Sequence, residues 1–166
     1  MDDKRAMLRH CLATLAYRTQ KALRGAPDSF GSYEAGNQVR TPRDLVRHMT
    51  SVLGYARTFF EGGGYRADPL PDLAAEITRF HAMLEDLARH LTGDTELKGT
   101  TEERLLQGPF ADAMAHAGQL AMLRRLSGSP VPPENFIEAT VDPANLGPQQ
   151  PEPVSPDVVW PEAPSP

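Results

Sequence analysis

The sequence predicts an all-α fold: an antiparallel four-helix bundle over residues 1–128, followed by an extended, proline-rich C-terminal segment over residues 129–166. Three observations lead there. Four segments repeat apolar residues at spacings of three and four, the period of a helix with one buried face. No segment alternates apolar and polar residues over a useful length, as a half-buried strand would. Finally, 11 of the 16 prolines lie in residues 129–166, where they are incompatible with helix or central strand.

The first helix spans about residues 4–24, with Leu8, Cys11, Leu12, Leu15, Ala22 and Leu23 as its apolar stripe. The stretch GAPDSFGSYEAGNQV then supplies loop residues. TPRD opens the second helix: Thr41 caps, Pro42 takes the first helical position and Asp44 faces the positive helix end. Three glycines, Gly62 to Gly64, stop it after Phe60. The third helix starts near Pro71 and Asp72, carries Leu73, Ile77, Phe80, Leu84, Leu87 and Leu91, and ends at Gly93. The fourth covers about residues 101–127, with a kink or restart at Gly108 and Pro109 because an interior proline loses a backbone hydrogen bond. In the C-terminal segment Phe136, Ile137, Val141, Leu146, Val154, Val158, Val159 and Trp160 are expected to anchor the chain along the bundle, with only the last few residues loose.

Composition narrows the function classes. One cysteine, Cys11, allows no intramolecular disulfide, and the charged N-terminus lacks the apolar run of a signal peptide. No window approaches the roughly 18 apolar residues of a membrane span, so neither secretion nor membrane insertion is expected and the cytoplasm is the expected compartment. The net charge of -5 hides an asymmetry: residues 1–66 carry +5 and residues 67–166 carry -10. Lys4, Arg5, Arg9, Arg18, Lys21 and Arg24 have no aromatic platform or groove-reading module around them, so they read as a solvated helix face and nucleic acid is not expected as a partner.

The chemistry concentrates on three residues. Asp112 and His116 lie one helical turn apart, on what reads as the buried side of ADAMAHAGQLAMLRRL. Burying either without a partner costs roughly 1 to 3 kcal/mol. On the second helix His48 lies among Leu45, Met49, Val52, Tyr55, Ala56 and Phe59, which points its imidazole inward. A divalent metal satisfies two neutral imidazoles and a carboxylate together, and that ligand set occurs in zinc and non-haem iron sites with open positions. Spacing alone leaves two further readings: a surface hydrogen-bonded Asp and His pair, and a core histidine with ordinary partners. His10, His81 and His90 sit at stripe edges and read as partly exposed, Cys11 as a small buried hydrophobe, and Gln119 as either a partner of a ligand histidine or a solvent-facing side chain.

The stretches LRHCLATLAYRTQKALRGAP, TPRDLVRHMTSVLGYA and GPFADAMAHAGQLAMLRRLSGSPVP together resemble the DinB-like superfamily of bacterial metal-binding four-helix bundles, with its YfiT-type and thiol-transferase branches, over most of residues 4–140. The resemblance implies one divalent ion, zinc or nickel first and iron or manganese next, bound by a histidine of the second helix and an H-x-x-x-H pair of the last. His48 and His116 match two of those ligands, and Asp112 stands where the first histidine of the pair is expected. Arg124 falls where the family tends to carry a basic residue. The implied activities are those of a hydrolase or a transferase using a low-molecular-weight thiol, with a small-molecule ligand and pairing into homodimers. The alternative is a non-catalytic bundle that the metal stabilises or that acts as a scaffold. No Ser, His and Asp constellation, phosphate-binding loop or dinucleotide fingerprint is present.

Overall fold

Two of the long helices start where a side chain takes up an unpaired backbone N–H. In a computed structural model describing residues 3–161 and 163, Thr41 Oγ1 accepts from the Asp44 N–H at 3.2 Å and Asp72 Oδ1 from the Ala75 N–H at 2.8 Å. Caps of this kind stabilise a helix by about 1 kcal/mol. The helices are α1 (Asp3–Leu23), α2 (Pro42–Glu61), α3 (Leu73–Thr92), a short α4 (Glu102–Leu105) and α5 (Ala111–Leu126), with a 3-10 turn at Asp28–Ser32. Among the described residues there is no strand, only one isolated bridge between Glu134 and Pro156. The fold class is therefore all-α. No helix among these residues is long and apolar enough to cross a membrane.

Between α4 and α5 the kink expected at Pro109 takes the form of a π-helical turn, Leu106–Phe110. Proline offers no N–H and crowds the carbonyl four residues back, and one extra residue in the turn relieves both. The buried positions run from Leu105 to Pro109 and Phe110 and then step by three or four through Ala113, Ala117 and Leu120.

The helices surround one core containing Leu12, Phe30, Met49, Phe60, Phe80, Leu84, Phe110 and Leu120. Their directions follow from end contacts. Arg5, at the start of α1, donates to the Gly93 and Thr95 carbonyls just past the end of α3, so these two helices run antiparallel. Arg5 also pairs with Glu102 at the start of α4, while Arg124 near the end of α5 donates to Ala22 and Arg24 at the end of α1. Thus α1 runs parallel to the α4–α5 stretch. Likewise Arg43 in the first turn of α2 reaches the Pro71 carbonyl ahead of α3, and Glu61 meets His90 at their far ends, so α2 and α3 are parallel.

The uniformly antiparallel order expected from sequence is corrected here, and the reason is the connection. Residues 62–72 can extend about 36 Å, enough to return along a helix of 20 residues, about 30 Å long. The segment does so, running back down α2. The Tyr65 ring covers Gly54, where a Cβ would lie 1.9 Å from the ring, and the Ala67 N–H donates to Ser51 Oγ at 3.0 Å.

Lys4 is exposed as expected, but most of the other basic side chains of the first helix and its end are not the solvated face expected of them. Lys21 pairs with buried Glu134 at 2.8 Å, and Tyr17 donates to the same carboxylate. Arg18 lies 3.7 Å from the Phe136 ring centroid. Arg24 donates to the Gln150 and Pro151 carbonyls and to Glu152. The basic first part of the chain thus receives the acidic second part. Leu146 is buried and Val141 packs on the core, but Ile137, Val154, Val158 and Val159 are exposed. Phe136 and Trp160 are half-buried, so the segment beyond residue 128 is held by half of the apolar anchors expected, together with these polar contacts. Residues 162 and 164–166, where the loose end was expected, lie outside the described residues.

Candidate metal centre

The three residues singled out from sequence come together between α2 and α5. The His48 and His116 rings meet edge to face with centroids 4.8 Å apart, and Asp112 Oδ1 lies 3.4 Å from His116 Nε2. One ligand atom of each residue lies within 4.8 Å of the others, so the group could hold a metal ion.

Its setting differs from the interior expected. His116 is buried, His48 is half-buried, and the Asp112 side chain is 53% exposed. Asp112 lies roughly 80° around the helix from Leu120, at the margin of the buried stripe rather than at its centre. Tyr55, expected on the inward side of α2, is also exposed. Both help to line an open cleft of about 730 Å³, together with His48, Val52 and the π-turn residues Gln107 and Pro109. The carboxylate therefore meets little burial cost, and the cleft gives small molecules access to His48 and Asp112.

The hydrogen bonds define the state of His116. Gln119 Oε1 sits 2.8 Å from Nδ1. With the amide oxygen on this side Nδ1 is the donor, which leaves Nε2 toward Asp112 as the atom a metal would use. For His48, burial first, then the positive charge of Arg40 and the neighbouring His116, lower the pKa from its ordinary value, against the opposing pull of Asp112. This favours the neutral imidazole that a ligand histidine must offer.

The remaining candidates take structural roles. His81, expected at a stripe edge, is buried, and its Nδ1 lies 2.6 Å from the Leu146 carbonyl, where it holds the C-terminal segment. His10 is exposed. Cys11 is partly buried against the core, and desolvation raises its pKa, so it is no activated nucleophile. Arg124 is buried and bonds three carbonyls.

Sequence reading missed a second group, Glu61, Asp86 and His90, whose ligand atoms are equally close. These residues lie on two helices whose parallel packing no local pattern announces. Arg57 lies 3.2 Å from Glu61 and 3.0 Å from Asp86, and Arg89 lies 2.6 Å from Asp86. Comparison with known protein families, curated proteins and solved structures yields no match for the chain.

Proposed function

We propose that the chain is a DinB-like metal-dependent four-helix bundle in which His48, Asp112 and His116 hold one divalent ion, with zinc or nickel suited to the two-imidazole, one-carboxylate set. The observation that carries this reading is the opposed pair of acceptors. With Nδ1 of His116 committed to Gln119, Nε2 and Asp112 Oδ1 face each other at 3.4 Å. Two acceptors so placed repel unless a cation or a proton lies between them. A charge-assisted hydrogen bond would close to about 2.7–2.9 Å. Two ligands on a zinc tetrahedron, each about 2.0–2.1 Å from the ion, stand roughly 3.3 Å apart.

Two of the three ligands, His48 and Asp112, line an open cleft, which favours chemistry over a closed structural site. The reaction class proposed is hydrolysis or transfer involving a low-molecular-weight thiol. The ion supplies Lewis acidity to a water or thiol there. Gln119 holds the His116 tautomer, and Tyr55 offers a hydroxyl to a ligand in the cleft. Ser51 is excluded as a nucleophile because its hydroxyl already donates to the Arg47 carbonyl and accepts from Ala67.

The test is elemental mass spectrometry of the tag-free protein, with a screen of thiols and electrophiles. One divalent ion per chain, lost in His48→Ala and in His116→Ala, with turnover lost in step, is the expected result. A folded wild type that takes up none of zinc, nickel, iron or manganese overturns the metal. Stoichiometric metal, lost stability on chelation and no turnover with any substrate would instead leave an ion that ties α2 to α5.

A further inference from the structure

We propose that Arg40, Arg47 and Arg66 form an oxyanion-binding cleft beside the metal centre, and that the natural ligand is a small molecule carrying a carboxylate or phosphate group. The proposal rests on the metal reading for the ligand's reactive end, while its anionic end stands on separate residues.

The cleft, about 340 Å³, shares His48 and Ser51 with the larger cleft that Asp112 lines. His48 therefore forms a wall common to both, and a single ligand can address each. The smaller cleft's volume falls within the range of small-molecule sites, roughly 300–1,000 Å³.

Its three guanidiniums come from three separately positioned segments, unlike a solvated helix face, where charges follow one another along a single element. Arg47 stands beside His48 on α2. Arg40 follows a turn in which Gly36, Asn37 and Gln38 all adopt left-handed backbone, with φ of 83°, 50° and 59°. Arg66 belongs to the returning segment, between Tyr65 seated over Gly54 and Ala67 bonded to Ser51. The parallel order of α2 and α3 thus brings Arg66 to this cleft.

The lining also carries an excess of positive charge, three arginines against Asp44 and Asp68. Asp44 is engaged with Arg47 at 3.1 Å. Among the described residues, Arg40 and Arg66 have no carboxylate within ion-pair distance. This contrasts with Arg57 and Arg89, which are committed to acids across the α2–α3 face. A guanidinium presents its N–H groups as a planar fork matched to two oxygens of a carboxylate or phosphate, and two or three such forks around one cleft select for an oxyanion.

The experiment uses the full chain with inorganic phosphate and with succinate as probes, titrated by calorimetry at constant ionic strength against a chloride control. Four proteins are compared: wild type, Arg40→Gln/Arg66→Gln, Arg40→Lys/Arg66→Lys and His116→Ala. The wild type is expected to bind at least one probe. Binding should weaken roughly tenfold or more in the Gln pair, recover in part in the Lys pair and persist in His116→Ala, whose side chain does not line this cleft. Preference for phosphate or for succinate identifies the group recognised. Absence of binding by both probes, or equal binding in wild type and the Gln pair, overturns the anion cleft. Metal content measured on the same four samples reports on the metal centre independently, since Arg40 and Arg66 lie outside its ligand set.

Discussion

Two groups in this molecule bring a histidine and a carboxylate of one helix against a residue of α2 with nearly the same economy of space, yet their surroundings give them opposite character. In Glu61, Asp86 and His90, guanidiniums already occupy the position a cation would take, because Arg57 bridges both carboxylates and Arg89 adds a second contact to Asp86. The His90 ring also stacks on Phe60 at 5.1 Å. In His48, Asp112 and His116 no arginine pairs with the carboxylate among the described residues, and what faces it is His116 Nε2 at 3.4 Å. The difference teaches that proximity of ligand atoms is insufficient to define a metal centre. What matters is whether the protein has supplied the compensating charge.

The largest effect expected is on the centre itself. His48→Ala and His116→Ala should each lower metal affinity by on the order of a hundredfold or more, beyond the 10–100-fold seen when only a partner of a ligand is lost. Competition with a chromophoric chelator measures this, and unchanged affinity in both variants would end the comparison. Next comes Gln119→Ala, which frees the His116 ring to adopt the other tautomer and should weaken binding by about tenfold with the fold intact. The same chelator assay checks it, and an effect as large as that of His116→Ala would mean that Gln119 acts on the fold.

Converting the second group into the first is a sharper test. Arg57→Met removes the guanidinium that bridges Glu61 and Asp86, and a weak second metal site should then become detectable by calorimetry. The same variant should lose pH-dependent stability. Burial raises the Asp86 pKa, but the hydrogen bonds from Arg57 and Arg89 outweigh it and hold the carboxyl below its ordinary value. The folded pKa is thus lower than the unfolded one, so this contribution is present above about pH 4 and is lost as pH falls through the folded value. Arg57→Met should flatten the denaturant midpoint against pH in that acid range.

The smallest effect is expected from His90→Ala. Metal content should not change, and stability measured by urea denaturation should fall by about 1 kcal/mol or less, as for a partly exposed ion pair and ring contact. A loss of metal in this variant would reverse the assignment of the two groups.

Much of this was legible along the chain. The helix starts at Thr41 and Asp72 are readable because a cap and the N–H it serves are three residues apart. The Asp112 and His116 pair is readable because i and i+4 share a helix face. The reading failed where phase or distance entered. Asp112 sits at the margin of its stripe, where a rotation of tens of degrees separates buried from wet. Arg57, which decides the character of the second group, is indistinguishable in sequence from any other charged helix residue.

The sequence by itself determined the helices, their caps, the break at Pro109 and the opposed charges of the two parts of the chain, since each follows from interactions spanning a few residues or from composition. Tertiary structure alone decided that residues 62–72 return along α2 and make α3 parallel to it. It also set the facing of His48 against α5, the wetness of Asp112, and which carboxylates receive an arginine. Those outcomes depend on contacts between residues tens of positions apart, where packing and charge compensation act between elements that carry no local record of their neighbours.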